Sequence, residues 1–165
     1  MNRRQHLAIA AGLCLPSLGL MSGCDTTDTA PDLPYTLLGG QGGRIGAHKG
    51  RVLLVNFWAT SCSTCVREMP HIVSTYQKYA AQGYDTLAVA MSYDPPEYVT
   101  NFVQTRQLPF RVALDRDASL AKGFGDIRLT PTSILIDRHG QIVKRYVGEP
   151  DFSALHQLIE KLLAA

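Results

Sequence analysis

Apolar and polar positions along the chain alternate with two periods. Arg51–Ala59 (RVLLVNFWA) is almost continuously apolar, as suits a strand covered on both faces. Met69, Ile72, Val73, Tyr76 and Ala80 then recur at helical spacing, and Gln82-Gly83 closes that helix. Thr86–Met91 reads as a second buried strand. Asp94-Pro95-Pro96-Glu97 predicts a helix start, with Asp94 as the cap, prolines in the first turn and an acid three residues on. Val99, Phe102 and Val103 give that helix its inner edge. Phe110–Leu114 predicts a short strand and Asp117–Phe124 a short helix. Ser133–Asp137 and Gln141–Val147 flank a hairpin turn at Arg138-His139-Gly140. Phe152, Leu155, Ile159 and Leu162 make a closing amphipathic helix. Earlier, Tyr35–Leu38 and Arg44–Ile45 predict short strands around a glycine-rich turn. The order is βαβ, an inserted helix and strand, then ββα. That is one α/β domain with a central mixed β-sheet flanked by helices.

The N-terminus departs from this pattern. Met1–His6 is basic, and Leu7–Met21 is apolar but shorter than a membrane span of about 20 residues. Residues 1–23 therefore read as an export signal. Their end, Leu20-Met21-Ser22-Gly23-Cys24, resembles a bacterial lipobox, which makes Cys24 the lipidation site. Asp25 resembles an inner-membrane retention signal, and Arg3-Arg4 resembles a twin-arginine signal, so Tat and Sec export both stay open. Residues 24–34 are polar, carry two prolines and read as a tether, with the folded domain expected at 35–165. The alternative is an apolar helix packed on the domain, with Cys24 a plain thiol.

The 165 residues carry a formal charge of +2, and Arg3 and Arg4 of the signal account for it. The remainder is balanced, which gives no support for nucleic-acid binding. With 45% apolar and 18% charged residues, a disordered chain is excluded.

The chemistry concentrates in Trp58-Ala59-Thr60-Ser61-Cys62-Ser63-Thr64-Cys65, where a buried strand runs into a helix. Two cysteines at this spacing can close a small disulfide, and the helix N-terminus favours a thiolate on the first. Cys62 is thus expected to attack and Cys65 to resolve. A zinc site would need four ligands, and no second pair is present. His48, His71, His139 and His156 stand singly and read as surface or turn residues. A purely structural disulfide would close a tiny loop and restrict the unfolded chain very little.

Residues 35–165 resemble the thioredoxin superfamily, in its TlpA/ResA-like branch of membrane-anchored thiol–disulfide oxidoreductases. The VNFWAT run, the Cys-x-x-Cys, Pro70, the inserted Asp94–Leu114 segment and Leu129-Thr130-Pro131-Thr132-Ser133 carry the likeness. It implies a thioredoxin-like fold and a cis-proline loop at Thr130-Pro131 facing the cysteines. Its other implications are a Pro70 kink in the active-site helix and an acidic residue, Glu68, that exchanges the resolving thiol's proton. A solvated helix carboxylate is the other reading of Glu68. Asn56 stands where thioredoxins keep a buried Asp, which leaves proton handling to Glu68, to water or to no special group. Ser61 replaces the family's second Trp and should leave Cys62 more open to water. The surface reading a partner is expected around Trp58, Ser61, Thr130 and Pro131.

The function expected is a protein disulfide reductase of the bacterial periplasm, working through the redox-active Cys62–Cys65 disulfide without a further cofactor or metal. Its expected partners are disulfide-bearing proteins, such as apocytochrome c or copper-delivery proteins, and a membrane thiol donor. The chain is expected to be a lipid-anchored monomer on the inner membrane. An oxidase would use the same parts at a higher potential. A thiol peroxidase would carry Pro and Thr where Val55 and Ala59 stand, and a copper chaperone would space its cysteines by three residues and add a histidine.

Overall fold

The computed structural model describes residues 28–165. The expected signal at 1–23 and the lipidation site at Cys24 lie outside the described residues. The elements are β1 (Asp28–Thr29), β2 (Pro34–Thr36), β3 (Gly42–Arg44), β4 (Val52–Trp58), α1 (Ser63–Tyr79), β5 (Tyr84–Ala90) and α2 (Pro96–Arg106). They continue with β6 (Arg111–Leu114), α3 (Ser119–Gly123), β7 (Thr132–Ile136), β8 (Gln141–Val147) and α4 (Phe152–Ala164). Short 3₁₀ turns occupy Ile45–His48 and Ala80–Gln82.

Six strands form one sheet in the order β1-β8-β7-β4-β5-β6. β4, β5 and β6 run parallel, whereas β7, β8 and β1 join antiparallel. The mixed sheet is the one the apolar pattern predicts. β4 sits at its centre, between β7 and β5, and all seven of its residues are buried. Leu53, Val55 and Phe57 face one layer, with Leu87, Val89, Ile134, Leu120 and Phe124. Trp58 faces the other, where Met69 and Ile72 of α1 and Val99 of α2 pack, and Val52 and Leu54 meet Leu155 and Ile159 of α4 on the same side. Helices α1, α2 and α4 thus cover one face, and α3 with the N-terminal arm covers the other.

α1 continues through Pro70, and a 3₁₀ turn ending at left-handed Gly83 (φ 100°) follows it. α4 is capped by Asp151, whose carboxylate accepts from the N–H groups of Ser153 and Ala154 at 2.9 and 3.1 Å.

Three expectations need correction. Residues 28–34 are not a free tether. Asp28 and Thr29 pair with Ile142 and Gln141, Ala30 N–H donates to Gly140 O, and Asp32 accepts from Gly46 N–H at 2.8 Å. Side-chain and backbone bonds outweigh the polar, proline-bearing composition there. Asp94 does not cap α2; Pro95 holds that position without a side-chain bond, since Asp94 is buried against Thr60 instead. His48 is not a surface residue either. It is buried, with Nε2 at 3.0 Å from Tyr35 Oη and Nδ1 at 3.2 Å from Asp85, which also binds Arg111. This network fastens the arm to the sheet.

Candidate active site

The site forms where β4 hands the chain to α1. Trp58 O accepts from Met91 N–H at 3.0 Å, so the end of β4 stays fixed beside β5. Asp94 then holds the following loop, accepting from Thr60 N–H at 2.6 Å and Thr60 Oγ1–H at 2.5 Å. Sequence reasoning assigned Asp94 to a cap and missed this role. Its position after a strand offered the same signal for both.

Cys62 is the N-cap of α1. Its Sγ accepts from Cys65 N–H at 3.1 Å, one of the helix's otherwise unpartnered donors. Cys62 and Cys65 are joined by a disulfide with Cα atoms 5.2 Å apart. Cys62 is half-buried and Cys65 is buried, so an external thiol reaches Cys62 first. Ser61, directly before it, is exposed. After reduction, the Cys65 N–H and the helix dipole both favour negative charge on Cys62.

Glu68 lies one turn beyond Cys65 on the same helix face. It is 0% exposed, which removes the reading of a solvated carboxylate. Its Oε1 accepts from Asn56 Nδ2 at 2.9 Å. Burial pushes the Glu68 carboxyl up to about 7; the Asn56 bond opposes this, nearby Glu149 adds to it and Arg67 lowers it. Arg67 and Glu149 pair at 3.2 Å above the site. Asn56 also donates to Ser133 Oγ at 3.0 Å, which ties β4 to β7 behind the cysteines. Ser133 was read only as the start of a strand, and nothing in its spacing marked the side chain.

The Thr130-Pro131 peptide is cis. Phe57 pairs with Thr132, which sets Pro131 beside the end of β4 that leads to Cys62. Pro131 is buried and its carbonyl accepts from Gly148 N–H at 2.8 Å, while Thr130 stays partly exposed. Thr130, Pro131, Ser61 and Cys62 therefore gather at one end of the sheet.

Trp58 does not belong to that surface. It is 0% exposed, with its ring 5.0 Å from Phe102 of α2. The last residue of a doubly covered strand faces the α1–α2 layer, so Trp58 supports the site from below. The apolar side chains that do reach solvent here are Tyr93, Leu129 and Val147, at 58, 66 and 69% exposure. Tyr93 Oη comes within 3.4 Å of Thr130 Oγ1, and Val147 pairs with Thr132. Lone apolar residues in turns or at a strand end carry no sequence signal of surface use, so they were missed.

Among the described residues no group of three or more Cys, His, Asp or Glu is placed to hold a metal ion. The site's reactive inventory is one disulfide, one buried acid that titrates near neutrality, and an open face above Cys62. That inventory suits exchange of a disulfide with an incoming thiol.

Comparison with known proteins bears on this chemistry. The family model for Redoxin matches residues 25–159. The thiol-disulfide oxidoreductase ResA of Bacillus thuringiensis subsp. konkukian is 34% identical over 134 residues, covering 81% of this chain and 76% of the relative. ResA of Halalkalibacterium halodurans is 36% identical over 115 residues, covering 70% and 62%. Among solved structures, a Neisseria meningitidis protein provisionally named a thioredoxin is 40% identical with a TM-score of 0.77, covering 84% of this chain and 91% of that one. A thiol:disulfide interchange protein of the thioredoxin family from Chlorobium tepidum is 25% identical with a TM-score of 0.75, covering 83% and 97%. The chain belongs to the Redoxin family, as a TlpA/ResA-like thiol–disulfide oxidoreductase of the thioredoxin superfamily.

Proposed function

We propose that this protein reduces disulfides in extracytoplasmic proteins, held at the inner membrane by a lipid on Cys24. The observation that carries the chemistry is the half-buried Cys62 at the N-cap of α1, with buried Cys65 and Glu68 behind it. The Cys62 thiolate attacks one sulfur of the partner's disulfide. A Cys62–partner disulfide forms, and the partner's other sulfur leaves as a thiolate that takes a proton from water. Cys65 then gives its proton to the Glu68 carboxylate and attacks Cys62 Sγ. The Cys62–Cys65 disulfide closes, and the partner's second thiolate leaves and is protonated. Two electrons pass to the partner, and a membrane thiol donor returns them by the reverse steps. In that direction neutral Glu68 protonates Cys65 as its sulfur is released.

The surface around Thr130, Pro131 and Ser61 would receive the partner as an extended segment. Apocytochrome c and copper-delivery proteins are the substrates proposed. An oxidising compartment makes a dedicated reductant necessary for either. The sequence of Leu7–Cys24 supports the export and lipid anchoring, and among the described residues no helix is long and apolar enough to cross a membrane.

The reduction potential of the Cys62–Cys65 couple in the full chain tests the direction. A value towards about −270 mV fits a reductant, and a value towards about −120 mV would make the protein an oxidase. Cys62→Ser should abolish turnover, and Cys65→Ser should accumulate mixed disulfides. Incorporation of labelled fatty acid that survives Cys24→Ser would remove the anchor at Cys24.

A further inference from the structure

The two edges of the sheet are finished differently. At the β6 edge the N-terminal arm closes the ladder: Leu38 N–H donates to Val112 O at 2.8 Å, and Leu37 bridges Ala113. At the other edge β1 covers only Gln141 and Ile142 of β8. Among the described residues, no strand lies beside residues 143–147 on that outer side. β8 carries two bases and no acid, and Val143, Lys144, Arg145 and Val147 are exposed. The ladder to β7 also slips here, with Ile136 opposite Ile142 but Leu135 opposite Lys144. A bulge and a lysine discourage a further strand. They do not account for two valines in solvent along the same edge, at 37 and 69% exposure. Apolar side chains beside basic ones suit a boundary between water and lipid.

The course of the chain says what lies beside this edge. β1 runs antiparallel to β8, so the chain reaches Asp28 from the Val147 end. That end belongs to the active site: Gly148 N–H donates to Pro131 O at 2.8 Å, and Cys62 follows β4, two strands in, about 10 Å away by strand spacing. Asp28 itself sits opposite Ile142, at the foot of the uncovered stretch. Cys24 stands four residues before it, and four residues reach at most about 14 Å. A lipid on Cys24 therefore brings the surface around Asp28 close to the bilayer. Arg145 is engaged by Asp28 at 3.0 Å and by Phe124 O at 2.7 Å, which leaves Lys144 as the base for headgroups.

Resting on the reading of Cys24 as the lipid-bearing residue, we propose that the uncovered edge of β8 lies against the membrane, with Lys144 on anionic headgroups and Val143 among them. The lipid supplies the attachment, and the edge sets which way the domain faces. The Cys62 end of the sheet is then held beside the bilayer, where a membrane thiol donor works, instead of standing away from it.

The test uses the full lipidated chain, with Cys62 and Cys65 joined, in vesicles of phosphatidylethanolamine and phosphatidylglycerol. An environment-sensitive fluorophore is attached through Val143→Cys, or through Gln104→Cys on exposed α2 towards the opposite edge. Quenching by a nitroxide carried on the lipid headgroup should be several-fold stronger at 143 than at 104. Lys144→Glu, raised salt or vesicles of phosphatidylcholine should weaken it at 143 while the chain stays bound through its lipid. Each variant should reduce insulin disulfides in detergent micelles at the unaltered rate, which shows that the fold is intact. Equal quenching at 143 and 104 in a chain that floats with the vesicles would overturn the proposal and leave the anchor standing. So would quenching at 143 that is indifferent to both Lys144→Glu and salt. A chain that does not float, or that floats equally well as Cys24→Ser, removes the anchor at Cys24 and the proposal with it. Twice the monomer mass in micelles, with the 143 label shielded there too, would seat a second copy on the edge in place of the membrane. A monomer whose 143 label is shielded only on vesicles supports the membrane contact.

Discussion

Glu68 costs stability at the pH where it is useful. Its carboxyl is raised from an ordinary 4.5 to about 7, mainly by burial. Below about pH 4.5 the folded and unfolded chains both hold the proton, and Glu68 contributes nothing to the pH dependence. Between there and about 7 the unfolded chain releases it first, so stability falls as pH rises, and above 7 the loss is complete. The gap is worth up to about 3 kcal/mol. Glu68→Gln should therefore match the wild type near pH 4.5 and exceed it at pH 8 by roughly 1–3 kcal/mol in urea unfolding. An equal advantage at both pH values would mean that burial does not raise this carboxyl. The same variant should flatten the neutral limb of the pH–rate profile for disulfide reduction, because the exchangeable proton goes with the acid.

The elements around the site show why its parts were unequally legible. The Cys-x-x-Cys and its helix could be read because an apolar strand, a tight pair of cysteines and a 3.6-residue period are all local signals. The cis Thr130-Pro131 peptide came only with the family resemblance, since the chain itself argues for the commoner trans form. Trp58 was misplaced because alternation along β4 does not say which face is solvent when both are covered. Asp94 was misread for a related reason: an acid before Pro-Pro satisfies a capping pattern, but its partner Thr60 lies 34 residues away. That long-range pair is testable. Asp94→Ala leaves a backbone N–H and a hydroxyl of Thr60 without their acceptor. The expected loss is about 1–3 kcal/mol, with the Thr60 amide losing hydrogen-exchange protection while the α2 amides keep theirs. Loss of protection along α2 instead would make Asp94 a helix cap after all.

At the scale of the whole molecule, one sheet face depends on the N-terminal arm. α3 is only five residues long and does not cover that face by itself. Tyr35 and Ile45 fill the remainder, with Ala30, Leu33 and Leu37 at the margin. Composition could not show this, because residues 28–34 are polar or small apart from Leu33 and the prolines, and they gain order only against residues far along the chain. Leu33 seats on Gly123, where an added Cβ would lie 2.2 Å from Leu33 Cδ1. An alanine at 123 improves helix propensity by about 1 kcal/mol, so local reasoning predicts a more stable protein. The contact predicts the reverse, because overpacking of this kind typically costs about 1–3 kcal/mol. Gly123→Ala should lower the unfolding midpoint and expose the arm amides near Ile45 to exchange. Leu33→Ala should itself be destabilising, yet the double variant should be more stable than the sum of the two losses, since the smaller side chain makes room for the new methyl. Strict additivity would mean that arm and helix do not press on each other. A positive coupling would show that the arm is part of the folded domain, closing the face of the sheet opposite the α1–α2 layer that buries Trp58.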